Sequence, residues 1–271
     1  MVRLLDDEDP VVQQQIEQEL IGMGMEAISR LEGILPTLED NAIQQQVEAM
    51  IARLQSQQIG EQLYEWRKGG GEDLLEAWML INQIEHPGMD TQVFHNAINR
   101  LASRTWLQIN VGMNDLEKLS VINRLLYSME AFSGNHGSPE APDNNHISFV
   151  LNEKQGNSLS MCMLYSILSD KLGVPLQIVN FNGYFALRYL SRDSHFYIDA
   201  YNKGLFFTPQ QVERFLKKLG AEDNRNTYKP LSNIYVILQL LQALEATHKL
   251  AGNDEEVARY QEIQKAIEIR F

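Results

Sequence analysis

Four blocks of sequence decide the fold: Gly156-Asn157-Ser158-Leu159-Ser160, Leu172-Gly173-Val174-Pro175, Asn182-Gly183-Tyr184-Phe185 and Tyr197-Ile198-Asp199-Ala200-Tyr201. From the first block into the second, residues 158–172 are apolar around much of a helical circumference, which is typical of a helix enclosed by other elements. After the second block the chain becomes β-rich and contains tight-turn signals, so an antiparallel sheet is expected between 176 and 207. The pattern predicts an α+β protein, mostly helical, with one central helix on a small antiparallel sheet.

The order and spacing of these blocks resemble the bacterial transglutaminase-like family of the SirB type, whose core belongs with the papain-like cysteine enzymes. In active relatives of that superfamily a cysteine opens the helix, a histidine opens the following strand, and an aspartate ends the next strand. Alignment on the glycine before the helix and on Leu172-Gly173-Val174-Pro175 puts Ser158, Tyr184 and Asp199 at these three positions. The resemblance therefore implies a papain-like core with a degenerate triad.

The residue types at these positions argue against catalysis. A thiolate at a helix N-terminus is stabilised by the helix dipole and a neighbouring imidazolium, whereas Ser158 would need an equally good base. Tyr184 cannot abstract a proton at neutral pH, because the pKa of tyrosine is about 10. Asp199 can orient a base but cannot replace one. We expect a hydrogen-bonded polar cluster here, in a noncatalytic module that binds a protein or peptide partner.

Two other functions remain open from the sequence. The first is a cysteine-dependent acyl transferase or amidase that uses Cys162 with His195 and Asp199. A lone cysteine among methionine and leucine residues is, however, usually a small buried hydrophobe. The second is a small-ligand receptor in which Asn182 and Tyr184 contact a ligand in the altered cleft.

The sequence predicts neither a metal site nor a bound cofactor. The six histidines include no His-x-x-x-His pair, and a single cysteine cannot build a thiolate site. No glycine-rich fingerprint follows a predicted strand, so nucleotide binding is not indicated.

An internal repeat lies in the N-terminal segment, residues 1–68. Residues 9–17 can be laid over residues 40–48 with a constant offset, and both copies begin with an aspartate that can cap a helix. A second helix, predicted over 24–35, makes the unit a helix pair of about thirty residues, a length at which helical repeats occur. The unit resembles a HEAT repeat.

Three consecutive glycines at 69–71 predict a boundary before the SirB-type domain, residues 72–230. Further helices are predicted at Leu74–Ile84, Thr91–Leu107, Asp115–Met129 and 209–219, with an irregular loop at Ser133–Asn145. The remaining segment, 231–271, predicts a hairpin of two helices that begin at Ser232 and Asp254. The SirB-type family often ends in a tetratricopeptide-like helix pair of this kind.

The composition narrows the possible partners. The 271 residues carry a formal net charge of −13 without a basic cluster, which argues against nucleic-acid and anionic-membrane surfaces. No stretch approaches the roughly 18 consecutive apolar residues of a membrane span, and the N-terminus offers no apolar segment for a signal peptide. We therefore expect a cytoplasmic protein, whose oligomeric state and partner the sequence leaves open.

Overall fold

The computed structural model describes residues 15, 19–218 and 229–268. Its N-terminal part contains helix α1 (Met25–Ile34) and the long helix α2 (Asn41–Lys68), which begins where the Asp40 carboxylate accepts the Ala42 N–H at 2.8 Å. The two helices share a small apolar core of their own. Apart from residue 15, the first copy of the predicted repeat lies outside the described residues, so the HEAT-like pairing stays a prediction.

The next segment is helical close to the predicted bounds. It contains α3 (Leu74–Glu85), α4 (Thr91–Trp106) and α5 (Asp115–Asn123). Each helix begins directly after a side chain that accepts a backbone N–H of the first turn: Asp73, Asp90 and Asn114. The chain is helical to Met129, as predicted, but its last part is not α-helical. Residues Arg124–Met129 form a π-helical turn, because backbone N–H groups there reach carbonyls five residues back.

The segment predicted as an irregular loop contains two ordered pieces. Strand β1 (Ser133–Gly134) pairs in parallel with β2 (Gln155–Gly156), and Pro142–Asn145 form a 3-10 turn. Helix α6 (Ile147–Glu153) follows the turn and leads through β2 into the central helix. These short pieces fix the backbone that leads into residue 158.

The central helix, α7 (Ser158–Lys171), confirms the predicted enclosed helix. Residues 161–165 are all fully buried, so five consecutive side chains, which point to all sides of the helix, contact other parts of the protein. The helix packs on strand β4 (Tyr184–Leu190) and on helices from the segment before it. Its first turn is thereby held near the start of that strand, where the candidate site lies.

The main sheet is antiparallel, as predicted, with strand order β3-β4-β5-β6. The strands are β3 (Gln177–Phe181), β4 (Tyr184–Leu190), β5 (His195–Asp199) and β6 (Leu205–Phe207). The first hairpin turns at Asn182 and Gly183, whose φ angles are 55° and 94°. Positive φ at both central residues is the requirement of the tight hairpin turn that the Asn-Gly pair predicts.

The C-terminal part consists of α8 (Pro209–Lys218) and a hairpin of α9 (Asn233–Ala251) and α10 (Asp254–Ile267). The hairpin shares the main core with the second half of α2, because Leu63, Ile237 and Tyr260 belong to one buried apolar cluster. A Cβ atom on Gly71 would lie 2.7 Å from Ile234, so the glycine run lets α9 approach closely. None of the helices in the described part of the chain is long and apolar enough for a bilayer crossing.

Candidate functional site

A cleft of about 480 Å³ opens beside the first turn of α7. Its walls come from five places in the chain: the start of α7, the β3–β4 turn, the loop near residue 140, Tyr201 just after β5, and one face of α9. Three of the four sequence blocks that decide the fold therefore contribute to one cleft. The α9 wall, with Gln239, Gln242 and Ala243, was not predicted as part of the site.

A capping box builds the first turn of α7. The Asn157 side chain accepts the Ser160 N–H at 2.9 Å, and the Ser160 hydroxyl oxygen accepts the Asn157 N–H at 3.0 Å. Asn157 also donates to the Asn145 side-chain oxygen at 2.8 Å, which ties the helix to the 3-10 turn. Gly156 has no room for a Cβ atom, because Ser160 and Val150 occupy that space.

Ser158 is the first residue of α7, where a nucleophile would sit. Its hydroxyl oxygen accepts the backbone N–H of Phe185 at 3.2 Å. The hydroxyl therefore joins the helix to strand β4, one residue beyond Tyr184. Within the part of the chain that the structure describes, no hydrogen bond connects it to a histidine or a carboxylate.

Tyr184, Asp199 and Asn202 form a closed hydrogen-bonded group. The Tyr184 hydroxyl donates to Asp199 Oδ1 at 2.7 Å, while the Asn202 amide donates to Asp199 Oδ2 at 2.8 Å and to the Tyr184 oxygen at 3.0 Å. The Asn202 backbone N–H also donates to Asp199 Oδ1, at 3.0 Å. Asp199 is 6% exposed, so its carboxylate is buried with both oxygens satisfied.

The environment of Tyr184 keeps its hydroxyl protonated. Burial and the hydrogen bond to Asp199 both raise the pKa of this phenol well above its ordinary value. A phenol with a raised pKa that already donates a hydrogen bond to a carboxylate cannot serve as a general base at neutral pH. Ser158, Tyr184 and Asp199 thus lie on neighbouring elements without a proton acceptor for the serine among them.

The family of the chain follows from comparison with known proteins. The profile described as "Transglutaminase-like superfamily" matches residues 92–242, which is more than half of the sequence. The chain belongs to the transglutaminase-like superfamily. The match begins within α4 and ends within α9, so it covers the central helix, the main sheet and the α9 residues at 239 and 242.

Relatives with curated names are distant. The UPF0162 protein of Xylella fastidiosa (strain 9a5c) is 24% identical over 193 residues, which cover 69% of this chain and 68% of that protein. The UPF0162 protein of Pseudomonas aeruginosa is 29% identical over 144 residues, 52% of each chain. F-box only protein 21 of Mus musculus is 35% identical over 103 residues, 35% of this chain and 16% of that protein. No solved structure gave a significant match.

The alternative triad residues do not come together in this superfamily member. Cys162 is fully buried, and burial followed by the charge of Asp199 raises the pKa of its thiol well above the ordinary value. His195 is exposed at the opposite end of β5 from Asp199. Four residues of strand separate their Cα atoms by about 13 Å. The pKa of His195 is lowered by partial burial and by Arg188.

Asn182, the other residue predicted to contact a ligand, lies at the tip of the β3–β4 turn. Its side chain is exposed, and the cleft is lined by the neighbouring Gly183 and Tyr184 instead. A hydrogen bond within the hairpin stabilises the turn, because the Asn180 side chain accepts the Gly183 N–H at 2.6 Å. The structure thus places Tyr184 in the cleft and Asn182 at its outer rim.

A second polar cluster, centred on Glu85, was not predicted. Glu85 Oε2 lies 3.0 Å from His146 Nε2, and Glu85 Oε1 lies 2.9 Å from His248 Nε2 and 2.5 Å from the donating Tyr260 hydroxyl. Burial alone would raise the pKa of Glu85, but His146, Tyr260 and His248 outweigh it and hold the pKa well below its usual range. We call these four residues the Glu85 cluster.

The Glu85 cluster joins three parts of the chain. Glu85 ends α3, His146 precedes α6, and His248 and Tyr260 come from the two helices of the C-terminal hairpin. The cluster therefore anchors α9, which carries one cleft wall. Within the described residues, no group of three or more His, Cys, Asp or Glu side chains is arranged to hold a metal ion.

The hydroxyl of Tyr184 should stabilise the fold measurably. We expect Tyr184→Phe to lower the free energy of unfolding by about 1–3 kcal/mol, because it removes one donor from a buried carboxylate. Tyr235→Phe is the matched control, since Tyr235 is 43% exposed and should change stability by less than about 0.5 kcal/mol. Urea unfolding followed by circular dichroism measures both variants. Equal stabilities of the two variants would contradict the role given to this hydrogen bond.

Proposed function

We propose that this chain is a noncatalytic transglutaminase-like protein of the SirB type whose cleft binds a segment of a partner protein. The observation that carries the proposal is the Tyr184–Asp199 hydrogen bond of 2.7 Å at the positions where relatives with catalysis have a histidine and an aspartate. In catalysis the acid orients a base that accepts the nucleophile's proton. Here the same carboxylate accepts a hydrogen bond from a phenol that keeps its proton, which supports a structural role instead of proton transfer.

The shape and polarity of the cleft suit a peptide. Its volume of about 480 Å³ lies within the range of about 300–1,000 Å³ typical of ligand sites. Gln242 accepts a hydrogen bond from Gln239 at 2.7 Å, and within the described residues its own amide N–H groups have no hydrogen-bond partner. Amide N–H groups in a cleft are suited to the carbonyl oxygens of an extended backbone. The HEAT-like and tetratricopeptide-like segments would add binding surface around it.

The proposal can be tested by filling the cleft with a large side chain and measuring peptide binding. We expect immobilised protein to select peptides from a displayed random library, and Ala243→Trp to abolish their binding because the indole occupies the cleft. Ala246→Trp is the matched control, since residue 246 is exposed on the same helix and does not line the cleft. Fluorescence anisotropy with the selected peptides measures affinity for the wild type and for both variants.

Two results would contradict the proposal. The first is a library that yields no peptide with saturable binding, or peptides that bind Ala243→Trp as well as the wild type. The second is turnover of amide, ester or amine-acceptor glutamine substrates by the purified protein that disappears in Ser158→Ala or Cys162→Ala. Such turnover would show a catalytic centre in spite of the Tyr184–Asp199 hydrogen bond.

A further inference from the structure

The lining of the cleft carries negative charge. Among the described residues that line it, Glu140 is charged, and none is an arginine, lysine or histidine. The remaining lining groups are amides, hydroxyls, aromatic rings and small apolar side chains. The buried carboxylate of Asp199 lies behind Tyr184 and adds to the same field. A cleft lined by one sign of charge attracts the opposite sign in its ligand.

Two tyrosine rings provide an aromatic surface beside this charge. Tyr184 and Tyr201 both line the cleft, with ring centroids 6.3 Å apart and planes at 81°. Tyr201 is held in place, because its hydroxyl donates to the Asn135 carbonyl at 3.0 Å and Gly134 packs closely against its ring. Glu140 lies close enough to Tyr201 for its charge to be felt there. Burial is the largest cause that raises the pKa of the Tyr201 hydroxyl, and the negative charge of Glu140 is the second.

We propose that the cleft selects its partner segment through an arginine side chain that contacts Glu140 and the ring of Tyr201. A guanidinium group is planar, stacks on aromatic faces and forms paired hydrogen bonds with a carboxylate. A cation over a tyrosine face is further stabilised by the ring quadrupole. This inference rests on the proposed binding function and adds the chemistry of the residue that is recognised.

Peptides selected by the wild-type protein test the inference. We expect arginine to be enriched, and aspartate and glutamate depleted, relative to the input library. In a selected peptide, replacement of the arginine by citrulline, which keeps the shape and removes the charge, should weaken binding about tenfold. Lysine in the same place should bind more weakly than arginine, because an ammonium group lacks the planar fork.

Two variants of the protein test whether Glu140 causes the preference for arginine over citrulline. Glu140→Gln should reduce the arginine-to-citrulline preference to about one- to twofold, whereas Glu153→Gln should leave it near tenfold. Glu153 is an exposed residue at the end of α6, outside the cleft, so both variants remove one negative charge and only one removes it locally. A circular dichroism spectrum and unfolding curve equal to those of the wild type verify that Glu140→Gln is folded.

The outcomes separate this inference from the binding function. Selected peptides that Ala243→Trp fails to bind, but that lack arginine or bind equally well with citrulline, would overturn the inference and leave the binding function in place. An arginine preference that survives in Glu140→Gln would also overturn it. A library that yields no peptide would overturn both.

Discussion

Glu85→Ala is expected to lower the free energy of unfolding by about 3 kcal/mol, the lower end of the cost of removing one partner from a buried charged pair, because the Glu85 side chain is 21% exposed. The Tyr260 hydroxyl, at 2.5 Å, and His248, at 2.9 Å, would lose their shared acceptor. His146 is 1% exposed and would lose its only close charged neighbour that the structure describes. Because these residues anchor the C-terminal hairpin, the loss should extend to α9 and the cleft.

Chemical denaturation and a nearby control check this result. Glu76→Ala, an exposed glutamate on the same helix, should change the free energy of unfolding by less than about 1 kcal/mol. If Glu85→Ala costs no more than Glu76→Ala, the Glu85 cluster does not stabilise the fold.

The pH dependence gives the same cluster a second signature. The pKa of Glu85 is lower in the folded protein than its ordinary value of 4.5, so its charge contributes stability above that pH and less as the pH falls below it. The difference in unfolding free energy between the wild type and Glu85→Gln should therefore be largest near neutral pH and shrink in acid. A difference that grows in acid would contradict the lowered pKa.

Trp78→Ala is expected to cost about 3–5 kcal/mol of unfolding free energy, because it leaves a large cavity in the core. Trp78 is fully buried, and its indole N–H donates to the Asn145 carbonyl at 2.8 Å. Asn145 in turn accepts from Asn157 at the start of α7. The substitution should thus also loosen the cleft and weaken binding of the selected peptides.

Two variants separate packing from hydrogen bonding at this position. Trp78→Phe keeps most of the ring volume but leaves the Asn145 carbonyl without its donor, so we expect a loss of about 1–3 kcal/mol. Trp106→Ala is the control for an exposed tryptophan, since Trp106 is 66% exposed, and should cost less than about 0.5 kcal/mol. Urea unfolding followed by far-ultraviolet circular dichroism suits all three. The interpretation is wrong if Trp78→Ala and Trp106→Ala are equally stable.

The central helix and main sheet could be predicted because their signals are local. The apolar circumference of residues 158–172 and the Asn182-Gly183 turn are both visible in a few consecutive residues. The positions of Ser158, Tyr184 and Asp199 could be inferred from the spacing of such blocks. The hydrogen bond between Tyr184 and Asp199 spans 15 positions across paired strands, so the predicted topology already brought these residues close.

The Glu85 cluster and the α9 wall could not be predicted because they depend on distant parts of the chain. Glu85 lies 163 positions from His248 and 175 from Tyr260. One local sign was present: a glutamate continues the apolar stripe of α3 that includes Trp78 and Ile81. A charged residue on a buried helix face needs a hydrogen-bonding or oppositely charged partner, but the sequence does not indicate which residue that partner is.

Because Cys162 is completely enclosed, its reaction with a thiol reagent can report when the core of this protein opens. The chain has one cysteine, with 0% of its surface exposed in the middle of the central helix. A thiol reagent can modify it only after the surrounding helices and sheet separate. The modification rate, followed as denaturant is added, would therefore measure the free energy of that separation at one defined atom in the core. A cysteine introduced at any exposed position would carry a label at that position alone while the protein stays folded.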